Sequence, residues 1–155
     1  MLETSDTARR IQSLKAALAA YPVSGSAPLR AQDLGSVFMD AGATPDQLAG
    51  DGAARYAAAA DLLARAKAEG TKPRRLGDAL VQLGYTVERL DALLALKGAK
   101  LRQEILEVYR RARSAGMSPD PYLACCLILE DGAREELAAE TRRRIREDHK
   151  KLSAA

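Results

Sequence analysis

The chain has 155 residues, of which 47% are apolar, 29% charged and 4% aromatic, with no Trp and one Phe. That balance excludes wholesale disorder, while 31 Ala and 22 Leu against few β-branched or aromatic residues exclude a mostly β fold. The net charge of +3 is modest, and so few rings exclude base stacking as the main route to nucleic acid.

In chain order, residues 5–21 read as a first helix, capped by Ser5, with Ile11, Leu14, Ala17, Leu18 and Tyr21 as its stripe. Pro22–Pro28 is rich in breakers and reads as a linker. A short helix at 30–41 turns Leu34, Val37 and Phe38 inward and stops at Gly42. Thr44, Pro45 and Gln47 then form a capping-box start to another short helix. Residues 53–69 form an Ala-rich helix with Tyr56, Leu62 and Leu63, ended at Gly70. Thr71-Lys72-Pro73 reads as a second linker and as the boundary between two lobes.

Beyond it, 74–83 form a short helix closed by Gly84. Thr86 caps the next, 87–96, with Val87, Leu90, Leu93 and Leu94 inward. A long helix over 99–115 has the stripe Leu101, Ile105, Val108, Tyr109 and Ala112, and Gly116 ends it. Ser118-Pro119-Asp120 starts an apolar helix running to about 130. The last helix, 133–151, carries Leu137, Thr141, Ile145 and Leu152 along one side. The stops at Gly42 and Gly116 share punctuation, which reads as reused cap chemistry because the flanks do not repeat. The expectation is an all-α, compact bundle of seven to nine short-to-medium helices, in lobes 1–70 and 71–155.

Little in this chain suggests catalysis. Cys125 and Cys126 are adjacent, lack metal-ligand spacing and read as core thiols of a reducing cytoplasm. His149 is the one histidine and is expected at a solvated or rim position. Glu135-Glu136 and Glu147-Asp148 sit beside Arg and Lys, which surface pairing explains. No phosphate-loop, dinucleotide or zinc-protease motif occurs. No enzyme, cofactor or metal is therefore expected. Nor is a membrane span or secretion signal, since Met1–Arg10 is polar with no apolar run after it.

Charge is the remaining signal. Residues 1–69 hold 7 basic and 8 acidic side chains, whereas residues 70–155 hold 17 and 13. Arg110, Arg111 and Arg113 close one helix, and Arg142, Arg143, Arg144, Arg146, Lys150 and Lys151 load the last. Positions 143, 146 and 150 share a face opposite the 137/141/145 stripe. Arg suits bidentate phosphate contacts, yet basic residues near a helix C-terminus also answer its dipole. Any nucleic-acid contact would read backbone rather than bases.

Two stretches go further: Arg75-Leu-Gly-Asp-Ala-Leu80 with Gly84 and Glu88-Arg-Leu90 through Leu93-Leu94, then Gly132-Ala-Arg-Glu135 with Arg142-Arg-Arg-Ile-Arg-Glu-Asp148. In this order the stretch of about 53–152 resembles the CasB family, the small subunit of the type I-E CRISPR Cascade complex. Residues 1–52 match only in being helical. Asp78 stands where the family usually has a basic residue, Pro121 replaces a frequent Trp, and His149 replaces an aromatic. The resemblance implies a non-catalytic, cytoplasmic subunit that holds DNA backbone and stabilises the R-loop during guide-RNA-directed target binding. Its implied partners are the backbone and large subunits of the complex, the guide RNA assembly, the target DNA strands and a second copy of itself.

Matching motifs puts nucleic-acid contacts at Arg55, Lys97, Lys100, Arg110 and Arg134. Charge spacing adds Arg111, Arg143, Arg146 and Lys150. Two other readings stand beside this one. The chain could be a helical interaction module with an incidental basic surface. The Arg75–Gly84 stretch also looks like the N-terminal domain of type II secretion ATPases, some of which bind cyclic di-GMP. There, Leu90 follows Gly84 by six residues where that motif has seven, a rotation of about 100° on a helix.

Overall fold

A computed structural model describes residues 2–19, 34–66 and 72–153. Nine helices occur among these residues: α1 (Leu2–Leu18), α2 (Gly35–Asp40), α3 (Pro45–Leu48), α4 (Gly52–Ala64), α5 (Leu76–Gln82), α6 (Val87–Leu94), α7 (Gly98–Ser114), α8 (Tyr122–Glu130) and α9 (Glu135–Ser153). The chain is all-α apart from two short parallel strands, β1 (Lys72–Arg74) and β2 (Met117–Pro119), paired with Lys72 opposite Met117.

The α8 helix forms the centre. Its sequence is apolar all round, and Ala124 to Glu130 are buried in succession, as expected of a helix surrounded by others. α1, α4, α7 and α9 pack on it. Ala57, Ala58, Ala59 and Ala60 of α4 are all buried, and their small side chains allow close approach. The Cys125 thiol accordingly reaches within 3.7 Å of the Ala59 carbonyl. Phe38 of α2 meets Tyr56 of α4 with ring centroids 5.6 Å apart. One buried cluster runs from Ile11 to Ile145 and is shared by the two expected lobes. The 70/71 boundary, Gly70 and the Pro22–Pro28 linker lie outside the described residues.

Local cap chemistry operates as the sequence implies. Thr44 Oγ1 accepts from the Gln47 N–H, Gln47 Oε1 accepts from the Thr44 N–H, and Pro45 opens α3. Thr86 caps α6. All five stripe residues of α7 are buried.

Several expectations are corrected. The stretch from Lys72 is a strand rather than a linker, because Lys72 N–H and Arg74 C=O bond to Gly116 and Asp120 beside β2. α1 starts at Leu2, three residues before Ser5, and α4 ends at Ala64. Val87 is 56% exposed although it lies along the stripe of Leu90 and Leu94, since it opens α6 at the end of that stripe.

The largest correction concerns His149, which is only 2% exposed. Its Nε2 donates to the Tyr85 carbonyl at 2.7 Å, fixing the turn after α5. Its neighbour Asp148 is also buried and is not a surface carboxylate. It accepts from the Gly77 N–H at 2.8 Å and pairs with Arg75. Two adjacent side chains of α9 thus hold both ends of α5.

Candidate nucleic-acid interface

Four expected contacts meet at one end of the molecule, around the turns that lead into α7 and α9. Lys97 is extended and precedes α7, and Gly98 turns the chain with φ +62°. The Gly98 N–H donates to Asp131 Oδ2 at 2.8 Å, which ties this turn to the end of α8. Asp131 Oδ1 accepts from Arg142 Nη2 at 3.0 Å, and Arg142 Nε donates to the Leu94 carbonyl at 2.8 Å. The side chains of this pair are 11% and 5% exposed, so Arg142 is an internal tie rather than part of a basic face. It joins the ends of α6 and α8 to α9 and thereby places the two turns side by side.

On that frame the basic groups converge. Gly132, at φ +79°, lets its N–H reach Glu135 at the start of α9. Arg134 sits between them. Lys97 Nζ lies 3.3 Å from Glu135 Oε2, and the Gly132 N–H and Lys97 together hold the Glu135 carboxyl below its ordinary range. Arg55 comes across from α4: a Cβ on Gly132 would lie 2.7 Å from its Nη2. Arg55 Nε is buried and makes no hydrogen bond. Lys100 is exposed on the first turn of α7.

The other five lie elsewhere. Arg110 and Arg111 are near the far end of α7, about 20 Å along the axis from Lys97. Arg110 is engaged by Glu107, with Nε 2.8 Å from Oε2, and this contact lowers the Glu107 pKa. Arg111 is half-buried. Arg143, Arg146 and Lys150 share the outer face of α9, all exposed. Arg143 bridges Glu140 and Glu147, while Arg146 reaches Asp91 of α6 at 2.9 Å. The nine residues therefore form three groups rather than one patch.

Sequence reasoning missed Asp131 and Arg142, the pair that builds the site. The signal was present in spacing: Ala138, Arg142, Ile145 and His149 recur at intervals of three and four, as buried helix positions do.

Burial pushes the Cys126 thiol up to about 12 and raises the Cys125 thiol well above its ordinary value, so both stay protonated at neutral pH. Among the described residues no group of His, Cys, Asp and Glu could hold a metal ion, and no helix is long and apolar enough to cross a membrane. In comparisons with protein families, curated proteins and solved structures, nothing matches this chain.

Proposed function

We propose that this chain is a non-catalytic, cytoplasmic small subunit of a type I CRISPR Cascade complex. It holds nucleic-acid backbone and stabilises the R-loop during guide-RNA-directed target binding. The observation that carries the reading is the convergence of Arg55, Lys97, Lys100 and Arg134 from three separate segments at one end of the bundle. Such a cluster supplies several phosphate contacts without any base-reading group, which suits a site that must accept every sequence. The order of motifs from Arg75 to Asp148 adds the CRISPR assignment. Because heteroduplex and duplex are of similar stability, a few backbone contacts tip the balance.

The test is reconstitution with CRISPR backbone and large subunits, guide RNA and target DNA. Incorporation of the chain, with target affinity that falls when Lys100 and Arg134 are changed to Ala, supports the reading. Failure to incorporate, or unchanged affinity, removes it.

A second reading is a helical interaction module without nucleic acid. It is favoured by the carboxylates that engage Arg110, Arg143 and Arg146 and so spend their charge internally. It predicts no salt-sensitive DNA binding. A calorimetric titration with cyclic di-GMP separates both from the secretion-ATPase reading.

A further inference from the structure

The other end of α9 holds a feature that the nucleic-acid reading leaves unused. A groove of about 820 Å³ lies between α1, the end of α4, and the β2–α8 turn. A cleft of about 270 Å³ continues from it toward the end of α9, and the two share Arg75, Asp120 and Tyr122. Leu63, Pro73, Pro121 and Tyr122, with the edges of Ile11 and Leu18, give the groove an apolar floor. Lys151 in the cleft is about 24 Å along α9 from Glu135, so this trough is well separated from the Gly132 turn.

The charges along the trough are unevenly spent. Its carboxylates already have partners: Asp148 holds Arg75 and the Gly77 N–H, Glu147 pairs with Arg143, and Asp120 accepts from the Tyr122 N–H at 2.9 Å. The cations are less engaged. Lys15 and Lys151 are exposed and make no ion pair among the described residues. Arg144 makes one long contact, 3.6 Å to a Glu140 that Arg143 already holds. An apolar floor with lightly engaged cations along its rim is complementary to a helix that carries one apolar and one acidic face.

We propose that this trough is a docking surface for an acidic amphipathic helix of a protein partner, separate from the basic cluster at Gly132. The partner's apolar side chains cover Leu63, Pro73 and Tyr122, and its carboxylates meet Lys15, Arg144 and Lys151. The proposal does not depend on the nucleic-acid reading.

The experiment is fluorescence anisotropy of the full chain with a labelled Leu/Glu amphipathic helical peptide. The expected result is saturable binding that is weakened about tenfold when Glu is replaced by Gln in the peptide, and about tenfold by Lys15→Glu with Lys151→Glu in the protein. Tyr122→Ser weakens it as well, and Arg134→Ala leaves it unchanged. The Lys15/Lys151 reversal is confined to exposed side chains, so its circular dichroism should match the parent. The proposal is overturned by no binding, by equal binding of the Glu and Gln peptides, by binding lost in Arg134→Ala but kept in the Lys15/Lys151 reversal, or by a single-stranded oligonucleotide whose binding needs Lys15 and Lys151. Binding that emerges only after residues 22–28 are replaced by a Gly/Ser linker also overturns it, by assigning the trough to this chain's own residues.

Discussion

Gly77 and Asp148 meet so closely that a Cβ on Gly77 would lie 2.7 Å from the Asp148 carbonyl carbon and oxygen. The same approach lets the Gly77 N–H donate to the Asp148 carboxylate at 2.8 Å, satisfying an otherwise unpaired donor in the first turn of α5. α5 and α9 are thereby in backbone contact at the first turn of α5.

Gly77→Ala should therefore destabilise the fold by about 1–3 kcal/mol, because the neighbour is backbone and cannot turn aside. Urea unfolding should show the midpoint fall. Gly35→Ala provides the contrast: a Cβ there meets nothing within 4 Å, so the midpoint should hold or rise slightly. Equal behaviour of the two variants would show that the α5–α9 approach does not bear on stability.

Arg142→Ala should cost about 3–5 kcal/mol, since it leaves Asp131 buried without its cation and strips a donor from the Leu94 carbonyl. Arg143→Ala, one residue on but on the exposed face, should leave the thermal midpoint essentially unchanged. Thermal unfolding of both checks this, and matched losses would contradict the division between internal and surface Arg.

Glu130 supplies a pH signature. It is buried between α1, α8 and α9, and burial raises its pKa despite the bond it accepts from Thr141 at 2.6 Å and another from Thr7. A carboxyl raised on folding binds its proton more tightly in the folded state. Its contribution is full below the ordinary carboxylate range and is lost as pH rises through the raised value. Parent stability should thus drop relative to Glu130→Gln between acid and neutral pH. Glu107, Glu135 and Glu140 are shifted the other way, but they are common to both proteins and cancel in the difference. Parallel pH curves would show that Glu130 is not the source.

DNA binding should separate the cluster at the Gly132 turn from the far end of α7. Lys100→Ala and Arg134→Ala should each lower affinity alike for all sequences and reduce the salt slope by about one. Arg110→Ala should do less, because Glu107 already occupies its guanidinium. Glu107→Gln frees Arg110 and should strengthen binding. Anisotropy over a salt series measures all four, and an Arg110 effect larger than that of Arg134 would move the interface to the far end of α7.

What the sequence by itself determined is local. The α7 stripe, the Thr44–Gln47 capping box, the Thr86 cap and the all-α class follow from periodicity and from side chains that bond within three or four residues of themselves. Tertiary structure decided what depends on distant partners. It paired Lys72 with Met117, and it left Val87 exposed. It also divided one Arg-rich helix into an internal Arg142 and an exposed Arg143 and Arg146. Charge and spacing name the residues on a helix, but burial depends on what packs against each face. For Asp148 and His149 that is α5, some seventy residues earlier in the chain. The modest net charge acquires its meaning in the same way. Folding places Arg55, Lys97, Lys100 and Arg134 at one end, with Lys97 itself paired to Glu135, and it pairs Arg110 and Arg143 with carboxylates elsewhere.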